Sequence, residues 1–164
     1  MDGFHLQHAL AFGVLLSALG GAYVALLLRL DPRIFRRSYP KAMRDAAWPQ
    51  TRTERIRSRL LSLPFFVLLV GIPFLSTYNL QLSHAVARGA LFLDAFVVGM
   101  TFNAVDLLII DIIWLGRFPP AWAMLPGAED VPYVPEYRRH VRGFVVGTVV
   151  AAAIALIVSF AGMR

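Results

Sequence analysis

Cysteine is absent from the 164 residues. That excludes a disulfide scaffold and any cysteine-ligated metal or cluster. Charge is also scarce, at 16% of residues against about 25% in soluble domains. A phosphate-binding Walker loop, an HExxH helix, a CxxC pair and a GxSxG elbow are all missing, which removes the reaction classes those motifs mark. What is present is apolar. Hydrophobic residues make up 58% of the chain and the mean hydropathy is +0.63. This composition fits neither a soluble globular domain nor a disordered chain. It predicts an all-α integral membrane protein, with residues 1–164 forming a single domain.

A bilayer core of about 30 Å needs roughly 20 apolar residues in a helix. Four stretches meet that need, and the spans are expected near 7–29, 60–80, 89–115 and 142–162. Their connections are a loop over 30–59, a short link, and a loop over 117–141. The first span lacks the basic leading region of a cleavable signal, so it is read as a retained helix.

Basic residues set the orientation. Ten of the sixteen Lys and Arg lie in 29–59, and four more are Arg117, Arg138, Arg139 and Arg142. Only Arg88 and Arg164 fall on the other side. By the positive-inside rule both large loops are cytoplasmic and both termini lie outside, in a plasma (inner) membrane. Topology accounts for the net charge of +6, so no nucleic-acid partner is expected. The expected partners are the bilayer and anionic headgroups at the Arg/Lys-rich first loop. A phosphate-bearing substrate at the same loop is the sharper alternative.

The first loop reads as short helical pieces. Asp31-Pro32 and Ser38-Tyr39-Pro40 are start signals, Trp48-Pro49 is a stop, and Thr51-x-x-Glu54 is a capping box whose helix should run straight into span two. The second loop holds five of the ten prolines, interleaved with Trp122, Tyr133 and Tyr137. Prolines lower the cost of ordering a loop, so this one is expected to cap the four-helix bundle.

Small residues recur every four positions in span one (Gly13, Ser17, Gly21, Ala25) and span four (Gly143, Gly147, Ala151, Ala155, Ser159). Such rows permit close helix contact, either inside one bundle or between copies in a homo-oligomer. Pro73 in span two removes a backbone hydrogen bond and predicts a kink.

The chemistry is expected in span three. On a regular helix Asn103 and Asp106 lie about 60° apart and share a face with Ala95 and Gly99. An ionisable residue inside a membrane is a functional hypothesis by default. Asp106 is therefore the candidate general acid or base, with Asn103 as its orienter. Asp111 lies about 140° away on the same geometry and is expected to pair with Arg117 or a loop arginine. Asp111, Trp114, Trp122, Tyr133, Tyr137 and Arg139 are candidate ligand-binding residues around a cavity in the cytoplasmic half. Asp94 is expected at the outer interface. His5, His8 and His84 share the outer side and have the makings of a metal or haem site, but they read as helix-end histidines; no metal or cofactor is expected. His140 lies at the opposite end and cannot join them.

The run Phe102-Asn103-Ala104-Val105-Asp106 resembles the FNxAD element of lipoprotein signal peptidases, which are also four-span proteins, through three identities in five residues. That family's second aspartate belongs to an NxxDR-type element that has no match here, so an aspartyl mechanism does not follow. The layout also resembles four-span bacterial membrane proteins, a resemblance that implies no activity. The expected function is an intramembrane polar site acting on a lipophilic small molecule. The alternatives are a proton-coupled transporter or channel subunit and a non-catalytic accessory protein.

Overall fold

Each apolar stretch forms one long helix. The structure is a computed structural model that describes residues 5–83, 85–134 and 136–161. It is all-α among those residues, with α1 over Leu6–Leu30, a short α2 over Lys41–Ala46, α3 over Arg52–Ser83, α4 over Arg88–Val105 and α5 over Tyr137–Ala161. A π-helical segment, Asp106–Leu115, prolongs α4. Four helices, α1, α3, α4 with its extension, and α5, are long and apolar enough to cross a membrane. Outward residues such as Val67, Val149 and Ile157 are 64% to 68% exposed. Apolar side chains in that number on the outside suit a lipid surround, consistent with an integral membrane location.

Span two begins earlier than its apolar run, and the capping box explains why. The Thr51 backbone N–H donates to Glu54 Oε2 at 2.8 Å, and the Glu54 N–H returns a bond to the Thr51 hydroxyl at 3.3 Å. These bonds satisfy orphan donors of the first turn and start α3 at Arg52. Asp31 caps the other side of this loop by accepting from the Arg33 N–H and Nε, while Arg33 Nη2 reaches Glu54 at 2.7 Å. At Pro40, by contrast, no side chain caps α2. The Lys41 N–H is satisfied from the second loop, by Glu136 Oε1 at 2.8 Å.

The helices meet through small residues, although in α1 only Gly13 of the four-residue row is buried and Ser17, Gly21 and Ala25 are half-buried. α4 packs against α1, α3 and α5. A Cβ on Gly99 would lie 2.9 Å from the Ala151 Cβ, and Gly147 faces the Asn103 amide. Ala155 and Ser159 continue that contact as fully buried residues. In α1 the buried glycines are Gly13 and Gly20, set against Thr101 and Phe102 of α4. The small-residue row of α5 is thus seated on α4 within one chain. Gly143 departs from the row: it is exposed, and a Cβ there would meet nothing within 4 Å among the described residues.

The two long connections pack on each other at one end of the bundle, hereafter the loop end. Their shared core joins Tyr39, Met43 and Ala47 to Ala123, Leu125 and Ala128, resting on Val24, Leu28, Ile110 and Leu115. The Tyr39 hydroxyl donates to the Ala123 carbonyl, and the Trp48 N–H donates to the Pro126 carbonyl at 2.9 Å. Gly127 follows with φ +85, a left-handed conformation that favours glycine. A Cβ there would lie 2.5 Å from the Trp48 ring.

Candidate functional site

The polar residues of span three do not lie on a regular helix. From Asp106 onward the backbone bonds run i→i+5, so residues five apart stack one above the other. Asp106 and Asp111 are five apart. The expected 140° separation therefore does not hold, and both carboxyl-bearing residues line one cavity. The widened turn closes at Gly116, where a Cβ would sit 2.9 Å from the Asp111 carbonyl oxygen. Segments of this kind are frequent at functional sites.

The cavity has a volume of about 240 Å³. Asp106, Asp111 and His140 bring its titratable groups, Asn103 and Phe144 border it toward the bundle, and Phe35 and Ser38 border it from the first loop. Sequence reasoning misses His140 in this role. Its Nδ1 lies 2.8 Å from Asp111 Oδ2, and its side chain is only 5% exposed. Asp111 thus pairs with His140 and not with Arg117 or a loop arginine, because α5 starts beside the π segment and turns its first buried side chain toward it. A contact of this length, with the Nδ1–H as donor and the carboxylate oxygen as acceptor, fixes the orientation of the ring. An imidazole oriented by one carboxyl, with a second carboxyl on the same cavity wall, is a set of groups able to exchange protons.

Asn103 sits at the boundary between this cavity and a smaller one of about 80 Å³ bordered by Pro73, Gly99 and Gly147. Its Nδ2 donates to the Phe144 carbonyl at 3.0 Å and to the Thr148 hydroxyl at 3.3 Å. The amide therefore ties α4 to α5. No hydrogen bond joins the Asn103 side chain to the Asp106 carboxyl among the described residues, and only the backbone links the two, from the Asp106 N–H to the Asn103 carbonyl.

The remaining sequence candidates lie outside the cavity lining. Trp114 packs edge-on against Trp122 at 5.5 Å, and Tyr133 packs edge-on against Tyr39 at 6.5 Å. Tyr137 is 60% exposed. Arg139 donates to the carbonyls of Arg37 and Tyr39 and pairs with Glu136 at 2.7 Å. The Tyr133 and Arg139 contacts fasten the second loop to the first, and Trp122 fastens it to the end of the π segment. Burial raises the Tyr133 phenol above its ordinary value, keeping it neutral in that role.

A second polar pair lies at the other end of the bundle. Asp94, expected at the outer interface, is turned into the bundle, and its side chain is 0% exposed. It sits in the second turn of α4, facing α3 and α1, where partners offset the cost of burial. The Ser76 hydroxyl donates to Asp94 Oδ2 at 2.6 Å, and His8 Nε2 lies 4.0 Å from Oδ1. His8 Nε2 also contacts the Ser76 carbonyl at 3.1 Å, and a carbonyl only accepts, so Nε2 carries the hydrogen there. Asp94 Oδ1 has no hydrogen-bond partner among the described residues. His8 is thus part of a three-helix polar contact, a role its place at a helix start conceals. His84, the third outer histidine, lies outside the described residues. Among the described residues no three His, Asp or Glu side chains converge as metal ligands.

Comparison with protein-family models, curated proteins and solved structures finds no match for this chain. Function is therefore read from the site alone.

Proposed function

We propose that this protein resides in the plasma (inner) membrane with both termini outside and both basic connections in the cytoplasm, and that its loop-end cavity binds a lipophilic small molecule and acts on it by acid–base chemistry. One observation carries the reading: the His140–Asp111 contact of 2.8 Å on the wall of a cavity that Asp106 also lines. In this scheme His140 moves the proton, Asp111 holds its ring, and Asp106 supplies the second carboxyl. Asn103 positions the site by locking α4 to α5. The apolar lining from Phe35, Phe65, Leu107 and Ile110 suits a ligand drawn from the bilayer.

The test is native mass spectrometry of the full chain extracted in mild detergent, with His140→Gln and Asp106→Asn beside it. The expected result is a monomer retaining a small organic mass, which wild type converts and both variants leave unconverted. Conversion at the wild-type rate by both variants overturns the reading.

A proton-coupled transporter subunit is the second reading. The Asp94–His8 pair favours it, because α4 and its extension then carry an acid–histidine contact at each end. A ligand-free oligomer, with proton-linked flux in vesicles that Asp106→Asn abolishes, moves the assignment to this alternative.

A further inference from the structure

Beside the acid–base cavity lies a second, wider hollow of about 430 Å³, between residues 33–38 and the first three turns of α3. Five arginines line it: Arg33, Arg36, Arg37, Arg55 and Arg59. No Asp or Glu does. Arg33 is committed to Asp31 and Glu54. The other four have no ion pair with any described residue, although Arg36 donates to the Arg44 carbonyl and Arg55 lies 3.5 Å from the Gln50 carbonyl. Ser38 and Ser58 add hydroxyls, whereas Ser62 donates to the Ser58 carbonyl and the Gln50 amide donates to Ser58 and Asp31. A guanidinium fork matches the oxygens of a phosphate, and hydroxyls complete such a site.

Position narrows the ligand further. The hollow sits where α1 has just ended and the apolar part of α3 begins, the depth at which headgroups lie. Phe35 and Ser38 line both the arginine hollow and the acid–base cavity. One short turn is therefore the shared wall between an anion site and an apolar chamber holding His140, Asp111 and Asp106. A molecule with a phosphate at one end and an apolar chain at the other would span the two.

We infer that the ligand of this protein is a phosphate-bearing anionic amphiphile, with its phosphate among Arg36, Arg37, Arg55 and Arg59 and its apolar part entering the acid–base cavity past Phe35 and Ser38. This rests on the proposed function for the cavity. It adds the chemical class of the ligand and the residues that recognise it. The phosphate contact distinguishes it from the diffuse attraction any basic loop has for an anionic leaflet, which depends on net charge and not on which arginines supply it.

The experiment is lipid titration of the full chain followed by native mass spectrometry, using phosphatidylglycerol and phosphatidylcholine as probes. Wild type is expected to retain one phosphatidylglycerol at least tenfold more tightly than phosphatidylcholine. Arg55→Gln/Arg59→Gln abolishes that preference, whereas Arg138→Gln/Arg142→Gln, which removes the same charge elsewhere, preserves it. Equal loss in both double variants overturns the inference in favour of a diffuse field. Free inorganic phosphate or glycerol phosphate competing at concentrations equal to the lipid also overturns it, since the apolar half then contributes nothing. His140→Gln separates the two proposals: it keeps the lipid preference while losing conversion. Lost preference with intact His140-dependent conversion sinks only the ligand class.

Discussion

The two acid–histidine contacts of this protein use the same residue types and differ in their surroundings. At the terminal end Asp94 is enclosed by Ser76 and His8, so its carboxyl is spent holding α4 to α3 and α1. At the loop end Asp111 fixes His140 on the wall of a cavity that a second carboxyl also lines. The ring nitrogen in use differs too. His8 uses Nε2 toward a carbonyl, whereas His140 uses Nδ1 toward a carboxylate. Burial of a charged-type residue does not by itself mark a reactive site. The empty volume beside His140 and Asp111 is what sets the loop-end contact apart.

The largest expected effect tests that contrast directly. His140→Gln lowers conversion about 10²–10⁴-fold, the usual worth of a positioned acid–base group, while His8→Gln leaves it within a few-fold. Paired turnover measurements on the two variants decide the matter, and equal losses would erase the distinction. Next comes Gly127→Ala. Forcing a left-handed alanine against Trp48 costs about 1–2 kcal/mol and loosens the joined loops. Thermal melting should fall, and conversion should fall with it, because Phe35 and Ser38 belong to both loop and cavity. Asp94→Ala is expected to destabilise by about 1 kcal/mol, in the range of interhelical hydrogen bonds in bilayers, with conversion per folded molecule unchanged.

The smallest effect is a pH dependence confined to the loop end. Burial raises the Tyr39 phenol well above its ordinary value of 10.0. The folded state therefore favours neutral Tyr39. Its contribution is complete below pH 10 and declines as pH climbs from there toward the folded value. Melting between about pH 8 and 11 should show that decline, and Tyr39→Phe should flatten it at the expense of the bond to Ala123.

Long apolar runs make the four helices legible, and Thr51 with Glu54 makes the early start of α3 legible. The row Gly147, Ala151, Ala155 likewise announces a close helix contact, with its seat on α4 left open. The site is harder to read. α-Helical arithmetic separates Asp106 from Asp111, and no residue in DLLIIDIIWL signals that the backbone widens there. His140 is hidden among the basic residues opening α5, because its neighbours Arg138 and Arg139 satisfy the demands of topology on their own. Asp94 misleads for a similar reason: its place near a helix end suggests water, but partners on α1 and α3 are set by tertiary packing.

The widened turn also changes how relatives of this chain should be recognised. In an α-helix, residues three or four apart take the stacked position that residues five apart take here. A homologue with an ordinary third span would therefore keep both carboxyls over the same chamber with two or three residues between them, not four. An alignment that opens a gap of one or two residues between the aspartates would preserve the chemistry, and one that forces the two spacings into register would misplace it.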